Sequence, residues 1–428
     1  MDQRKSIIPM EIAQENKVLQ FVEKLEKGKD CSSFRQMAID ALGGMDFPTT
    51  RVEDWKYTRV TRITKQQFTQ QKAQADVSKL KIGEENVHRL VFVNGYYDEK
   101  QSSLQALPEG LTITAIENAD MEDYLDKLDS IDENVFSLIN KGYYTGGIYV
   151  RAEKNTVSQT PIHIIHVSTG NGVIANTRHF FDVDQSAELE VITSHHTMDT
   201  TNCFSNVVME AAVGVNASLK IHKIQEENLD FFHVSTENIV QEKDSRFEIN
   251  TVTIGGLLVR NGLNILVDGE NCHTALNGIY LTKENQLVDN HTFVDHLQPN
   301  CISDEMYKGV MDDKSKAVFN GKVIVRQDSQ KIEAFQANGN VLLSNDAEIN
   351  SKPELEIYAD DVKCSHGCTI GQLDEQAIFY LQARGIKKKS AQHMMTQAFI
   401  NEVVDRISNV SVQDYVYAKF EEKFGWTR

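Results

Sequence analysis

Proline is scarce in this chain, six in 428 residues against an average usage of about 5%. Each proline removes a hydrogen-bond donor, so its scarcity suits a fold built from hydrogen-bonded ladders. Basic charge is also short: 44 Lys and Arg face 62 Asp and Glu, a net charge of −18. That excludes broad nucleic-acid binding, which needs a basic face to release phosphate counterions, and binding to an anionic membrane surface. No apolar run approaches the roughly 18 residues of a membrane span. The start of the chain, Met1 to Glu11, holds too short an apolar run for a signal peptide, and the expected location is the cytoplasm. Six cysteines, Cys31, Cys203, Cys272, Cys301, Cys364 and Cys368, make no disulfide framework for a chain this long.

Catalytic motifs are missing as well. Lys316 stands where a phosphate loop ending in Gly321-Lys322 needs glycine, and no His-Glu-x-x-His or Gly-x-Ser-x-Gly is present. The chain has no ATP site of its own, so any ATP-driven step must come from a partner.

What is present falls into three regions. Residues 1–85 read as an N-terminal helical region: Val18, Phe21, Val22 and Leu25 share a helical stripe closed by Gly28, and Phe34, Met37, Ala38 and Ala41 repeat it after Ser32-Ser33. Phe47 to Arg51 is a turn, and Trp55-Lys56-Tyr57 an aromatic anchor of the kind that lids a core. Across residues 86–372 the period falls to two. Ala187, Leu189 and Val191 alternate with acidic residues, and Ala217, Leu219 and Ile221, Phe247 and Ile249, and Leu355 and Ile357 behave similarly. Residues 373–428 return to helical spacing. Asp374 is a helix cap, Gly385 a stop, Ser390 precedes a second helix, and Ser411 to Asp414 resembles a capping box before a third.

The strand starts recur. A turn residue followed by a strand-opening residue appears at Ser186-Ala187, Asn216-Ala217, Asp244-Ser245, Asn271-Cys272 and Asn300-Cys301, at intervals of 30, 28, 27 and 29 residues. A repeat this short holds two extended segments and two turns, one coil of a β-solenoid whose stacked neighbours bury a continuous core. An antiparallel sandwich is the rival, but its strands need no constant period.

The densest group of soft ligands is Cys364-Ser365-His366-Gly367-Cys368. Thiolate and imidazole suit zinc, copper or iron–sulfur species, and the three could meet one metal if the chain turns at Gly367. The alternative is that the cysteines are small buried hydrophobes. His195-His196 with Asp199 and Cys203 form a second group, but neighbours on a strand face opposite ways. His291, Asp295 and His296 form a third, and both of these groups read better as structural. The acidic run of Asp304-Glu305 and Asp312-Asp313 reads as a solvated edge.

Several segments resemble one family. Asp360 to Gly367, Gly371 to Asp374 and Phe379 to Ile386 resemble the signature of the SufB/SufD iron–sulfur cluster assembly scaffolds, and Phe47 to Thr58 resembles the N-terminal motif of the SufD branch. Asn261 to Asn264, Asp268-Gly269 and His291-Thr292 fit the same family's β body. The resemblance implies a mainly β fold, a right-handed parallel β-helix between N-terminal and C-terminal helical regions. It implies a non-enzymatic subunit of the SUF complex, pairing with the SufB paralogue through β-helix edges and with the ABC-type ATPase SufC through the C-terminal helices. Sulfur would come from a cysteine desulfurase and its carrier, and a reduced flavin is associated with such complexes. An isolated preparation would self-associate as a homodimer. His366 corresponds to the interface histidine at which a transient Fe–S cluster forms; Cys364 would accompany it, and Cys368 departs from the family's usual alanine. Phe379, Tyr380, Arg384, Met395 and Phe399 are the expected partner-binding residues, on a tail that exceeds what capping a solenoid needs and should be removable without unfolding the body. The competing readings are an exported β-helix carbohydrate-active enzyme and a purely structural solenoid adaptor.

Overall fold

The computed structural model describes residues 16–26, 33–83, 87–119 and 134–424. Among these residues, two sheets of ten and nine strands run the length of the solenoid, and from Gly146 onward successive strands alternate between them, so each coil gives one strand to each sheet. From Ile162 onward the pairing within each sheet is parallel throughout. Leu189 aligns with Leu219, Leu219 with Phe247, Phe247 with Thr274 and Thr274 with Ser303, so the pairing register reproduces the sequence period. This is the parallel β-solenoid, and the sandwich is excluded.

The turn residues explain why the coil closes where it does. Ser186, Asn216, Asp244, Asn271 and Asn300 all adopt left-handed backbone, with φ between 56° and 63°. Asn and Asp tolerate this conformation because the short side chain bonds locally: Asn271 Nδ2 donates to Asp244 Oδ1 of the coil before it (2.8 Å), and Asn216 Nδ2 to Ser186 Oγ (3.0 Å). The residue after each turn, Ala187, Ala217, Ser245, Cys272 or Cys301, is fully buried and small enough to start the next strand. Cys272 and Cys301 are therefore packing residues of the turn ladder.

Alternation then divides each strand. Leu189, Val191, Leu219, Ile221, Phe247 and Ile249 face the apolar core between the sheets, as their period requires. Glycine is required where coils touch: a Cβ on Gly255 would stand 2.1 Å from the Glu227 carbonyl oxygen, and one on Gly278 would overlap the Tyr307 ring.

Helices cover the outer faces. Among the described residues, four precede or interrupt the strands: α1 (Lys17–Val22), α2 (Ser33–Leu42), α3 (Thr61–Thr64) and α4 (Val135–Tyr143). With Trp55 and Phe68 they form an apolar cluster on the nine-stranded sheet, against Phe204, Phe232, Val234 and Leu258. Trp55 is the lid its sequence context suggested. Helix α4 was not foreseen inside the β region; its capping box, Asn134 with Ser137, is the local signal for it. The expected stop at Gly28 lies outside the described residues, and α1 ends earlier, at Val22.

Among the described residues, three helices follow the last strand: α5 (Glu375–Ala383), α6 (Lys388–Val404) and α7 (Val410–Phe424). Asp374 caps α5 through the amides of Gln376 and Ala377, and Gly385 takes a left-handed φ of 90° just past its end. The starts of the other two are corrected: α6 begins at Lys388, so Ser390 lies inside it rather than before it. Lys387 occupies the N-cap of α6 with no side-chain bond, and Asn409 rather than Ser411 caps α7, its Oδ1 accepting from the Val412 amide.

The tail is not a removable appendage. Ile400, Val403, Val404, Val412, Val416 and Phe420 are buried against Ile192, Ile224, Val252 and Ile279 on the outer face of the ten-stranded sheet. Burying each such side chain contributes about 1.5–3 kcal/mol, so deleting the whole tail would uncover the body.

Candidate functional site

The two ends of the solenoid differ. At the start, the antiparallel strands Tyr96–Tyr97 and Leu111–Ala115 close the two sheets. At the other end, Glu348–Ile357 and Val362–Gly371 are the outermost strands and each has one unpaired edge. Open edges of this length recruit further strands unless something covers them. Ile357, Tyr358 and Ile370 stand exposed beside them.

Cys364, His366 and Cys368 lie on the last strand, in register with Ala334, Gln336 and Asn338 of the coil before. Those three residues are buried, so the trio continues the interior face into the open end. Gly367 lies within this regular strand, and the turn that would gather the trio onto one ion does not form. At about 3.3 Å per residue, the Cα atoms of Cys364 and Cys368 are about 13 Å apart. Cys364 packs against the core, and burial pushes its thiol above the ordinary range; His366 and Cys368 are exposed, and the His366 imidazole has no hydrogen-bond partner among the described residues. The arrangement offers ligands along an edge and leaves the rest of any coordination sphere to a second molecule.

Of the expected partner-binding residues, Phe379 and Tyr380 on α5 are 72% and 58% exposed, and Arg384 Nη2 donates to the Tyr380 hydroxyl at 2.9 Å. Met395 is half-buried. Phe399 turns inward, its ring against Gly339 and under the Lys308 ammonium.

The other histidine groups separate in space. His195 faces the interior, whereas His196 faces outward beneath α7, where its Nδ1 lies 2.6 Å from Glu226 and its Nε2 2.9 Å from Ser194 Oγ. Ser194, His196 and Glu226 have the connectivity of a hydrolytic triad, but Ser194 is fully buried and Glu226 is also bonded to Tyr415 and Lys419 of α7. The group ties the helix to the sheet. Asp199 is exposed, and Cys203 packs with Val173 and Phe231. His291 pairs with Asp289 (3.0 Å), Asp295 with Arg326, and His296 with Ser303.

Glu305 corrects the reading of a solvated acidic edge. It sits on the interior face, accepting from Thr292 Oγ1 (2.6 Å) and Gln336 Nε2 (2.9 Å), and burial raises its carboxyl to about 7. It belongs to a polar file that occupies one half of the interior, beside the apolar half. Lys223 pairs with Glu237 (2.8 Å), Asn261 accepts from Gln225 and donates to Asn290, and Gln336 ends the file under His366.

The sequence reading missed this file. Its signal was available: His166 and His195 are one coil period apart and on the inward parity, and they stack with ring centroids 4.6 Å apart.

The fold and its ligand-bearing end define a class: a capped β-solenoid that presents thiol and imidazole groups at an open sheet edge. Residues 166–399 match the SufBD core domain of the SUF system for FeS cluster assembly, and residues 22–164 match the SufBD N-terminal region. The chain belongs to the SufBD family. An iron–sulfur cluster assembly SufBD family protein of Synechocystis is 32% identical over 89% of this chain and 88% of its own length. The SufD protein of Escherichia coli is 29% identical over 93% of this chain and 94% of its own. A chloroplastic Arabidopsis protein, ABCI7, is 26% identical over 93% of this chain and 88% of its own.

Proposed function

We propose that this chain serves in iron–sulfur cluster assembly as the SufD-type scaffold subunit, with the nascent cluster as cargo rather than a resident cofactor. The carrying observation is the open end of the solenoid. Cys364, His366 and Cys368 sit on a strand whose free edge a homologous strand can extend. A paralogue of the SufB kind docked there would supply the ligands that one strand cannot gather. An imidazole suits this position because it can be a neutral nitrogen ligand near physiological pH, where lysine is charged.

The ATP-driven step falls to a partner ATPase of the SufC kind, for which the exposed Phe379 and Tyr380 on α5 are the docking residues. Movement of that partner would open or shield the shared edge. Sulfur delivered by a desulfurase and its carrier completes the cargo, and the cytoplasm is the expected compartment.

The test is co-expression of the chain with its paralogue and ATPase, recovery of the complex, and measurement of cluster formed on it. His366→Ala should leave the complex intact and strongly reduce cluster yield, whereas Cys368→Ser should do less. An unchanged yield in the His366→Ala complex would make that residue an interface packing group only.

A further inference from the structure

Four imidazoles run in file through the interior of the first coils. His179 and His166 meet edge to face with centroids 5.1 Å apart, His166 stacks on His195 at 4.6 Å, and His195 meets His233 edge to face at 4.8 Å. At the end of this file lies Glu227, in the segment that joins Ser218–Gln225 to Phe232–Gln241, with Oε1 2.6 Å from His233 Nδ1. His195, Glu227 and His233 are all buried.

Two independent observations mark this spot. One donor atom from each of His195, Glu227 and His233 lies within 4.8 Å of the other two. In addition, His195 Nδ1, His233 Nε2 and Glu227 Oε2 have no hydrogen-bond partner among the described residues. A buried polar atom without a partner is destabilising, and one on each of three clustered side chains is a concentrated defect that a bound cation would relieve. The neighbouring cation cannot serve, because Lys223 Nζ is held by Glu237, Ser235 and Asn261.

We propose that His195, Glu227 and His233 form an interior site for a divalent first-row transition metal ion, specifically ferrous iron. Two imidazoles and one carboxylate are the ligand set of non-haem iron(II) centres, with positions left open for water or a transferred group. The set contains no sulfur, which separates it from the thiol-bearing open end. Glu227 is held in place by the coil beneath it, where Gly255 gives its backbone room. The choice of iron over other ions of the same class rests on the assembly role proposed above; the site itself rests on the geometry.

The experiment uses the full isolated chain, stripped with chelator, loaded anaerobically with ferrous iron and desalted. Two variants are compared with it: Glu227→Gln, and the triple substitution Cys364→Ser, His366→Ala, Cys368→Ser. The triple variant should keep one tightly bound iron per chain, with a nitrogen and oxygen shell and no sulfur by X-ray absorption. Glu227→Gln should weaken binding by more than the roughly 10–100-fold that loss of a ligand's hydrogen-bond support causes. Loss of iron from the triple variant, a sulfur shell in it, or iron retained in full by Glu227→Gln would each overturn the proposal. Should Glu227→Gln fail to fold, the spectrum of the triple variant decides alone. Because no partner protein is needed, a negative result here is separate from failure of the scaffold assignment.

Discussion

Arg260 lies over the indole of Trp55, its guanidinium carbon 3.8 Å from the ring centroid, while its Nη1 pairs with buried Asp289. One side chain thus fastens the N-terminal segment to the solenoid. Burial alone would raise the Asp289 carboxyl, but Arg260 and His291 outweigh it and hold it well below the usual range. Removing Arg260 strands a buried carboxylate, which costs about 3–5 kcal/mol. Arg260→Ala should lower stability by that order in urea unfolding at pH 7. Asp289→Asn in the same background should recover part of the loss. Because the folded carboxyl is depressed, the pair's contribution is present above the unfolded value near 3.9 and fades as pH falls towards the folded one.

Glu305 has the opposite sign. Its folded value near 7 lies above the ordinary carboxyl value, so the folded chain holds a proton that the unfolded chain has released. Stability should therefore decline between about pH 4.3 and pH 7, at up to about 1.4 kcal/mol per pH unit. Glu305→Gln should flatten that slope, becoming more stable than the parent at pH 8 relative to pH 5. Parallel slopes for the two proteins in urea titrations at both pH values would refute a buried, protonating Glu305.

Lys331 occupies the turn position that Ser, Asn or Asp holds in earlier coils, with φ of 59°. Left-handed backbone costs an ordinary L-residue about 1–2 kcal/mol, and asparagine tolerates it better. Lys331→Asn should raise the melting temperature, and the reverse substitution, Asn216→Lys, should lower it.

The exposed faces can be tested without touching the core. Phe379→Ala with Tyr380→Ala should weaken association with the ATPase at least about tenfold, a loss of about 1.4 kcal/mol. Ile370→Lys, on the open edge, should instead impair pairing with the paralogue or with a second copy. Both variants should unfold within about 0.5 kcal/mol of the parent, as surface changes do. Surface plasmon resonance separates the two partners, and light scattering reads self-association.

The solenoid was legible because its turn residues and its alternation repeat with one period, which the pairing register then obeys. Glu305 was not legible: an acidic neighbour, Asp304, disguised an inward residue, and only the parity set by Ser303 and Tyr307 distinguishes them. The interior histidines hid for a similar reason. His195 and His233 belong to different sheets, so no local spacing joins them, and coil closure alone brings them together. The trio at 364–368 was legible as ligands but not as an edge strand, since Gly367 signals a turn in sequence yet is accommodated in a terminal strand with nothing packed on it.

Translation along the solenoid axis also makes the molecule a ruler. Neighbouring strands stand about 4.8 Å apart, so six coil steps place the strand bearing His366 roughly 29 Å from the strand bearing His195. That span can change only in whole-coil increments, because a shorter insertion would reverse the parity of a strand or break a turn. Any natural lengthening or shortening between these two strands should come in blocks near 29 residues, and each block would shift the depth of the histidine file from the docking edge by one fixed step.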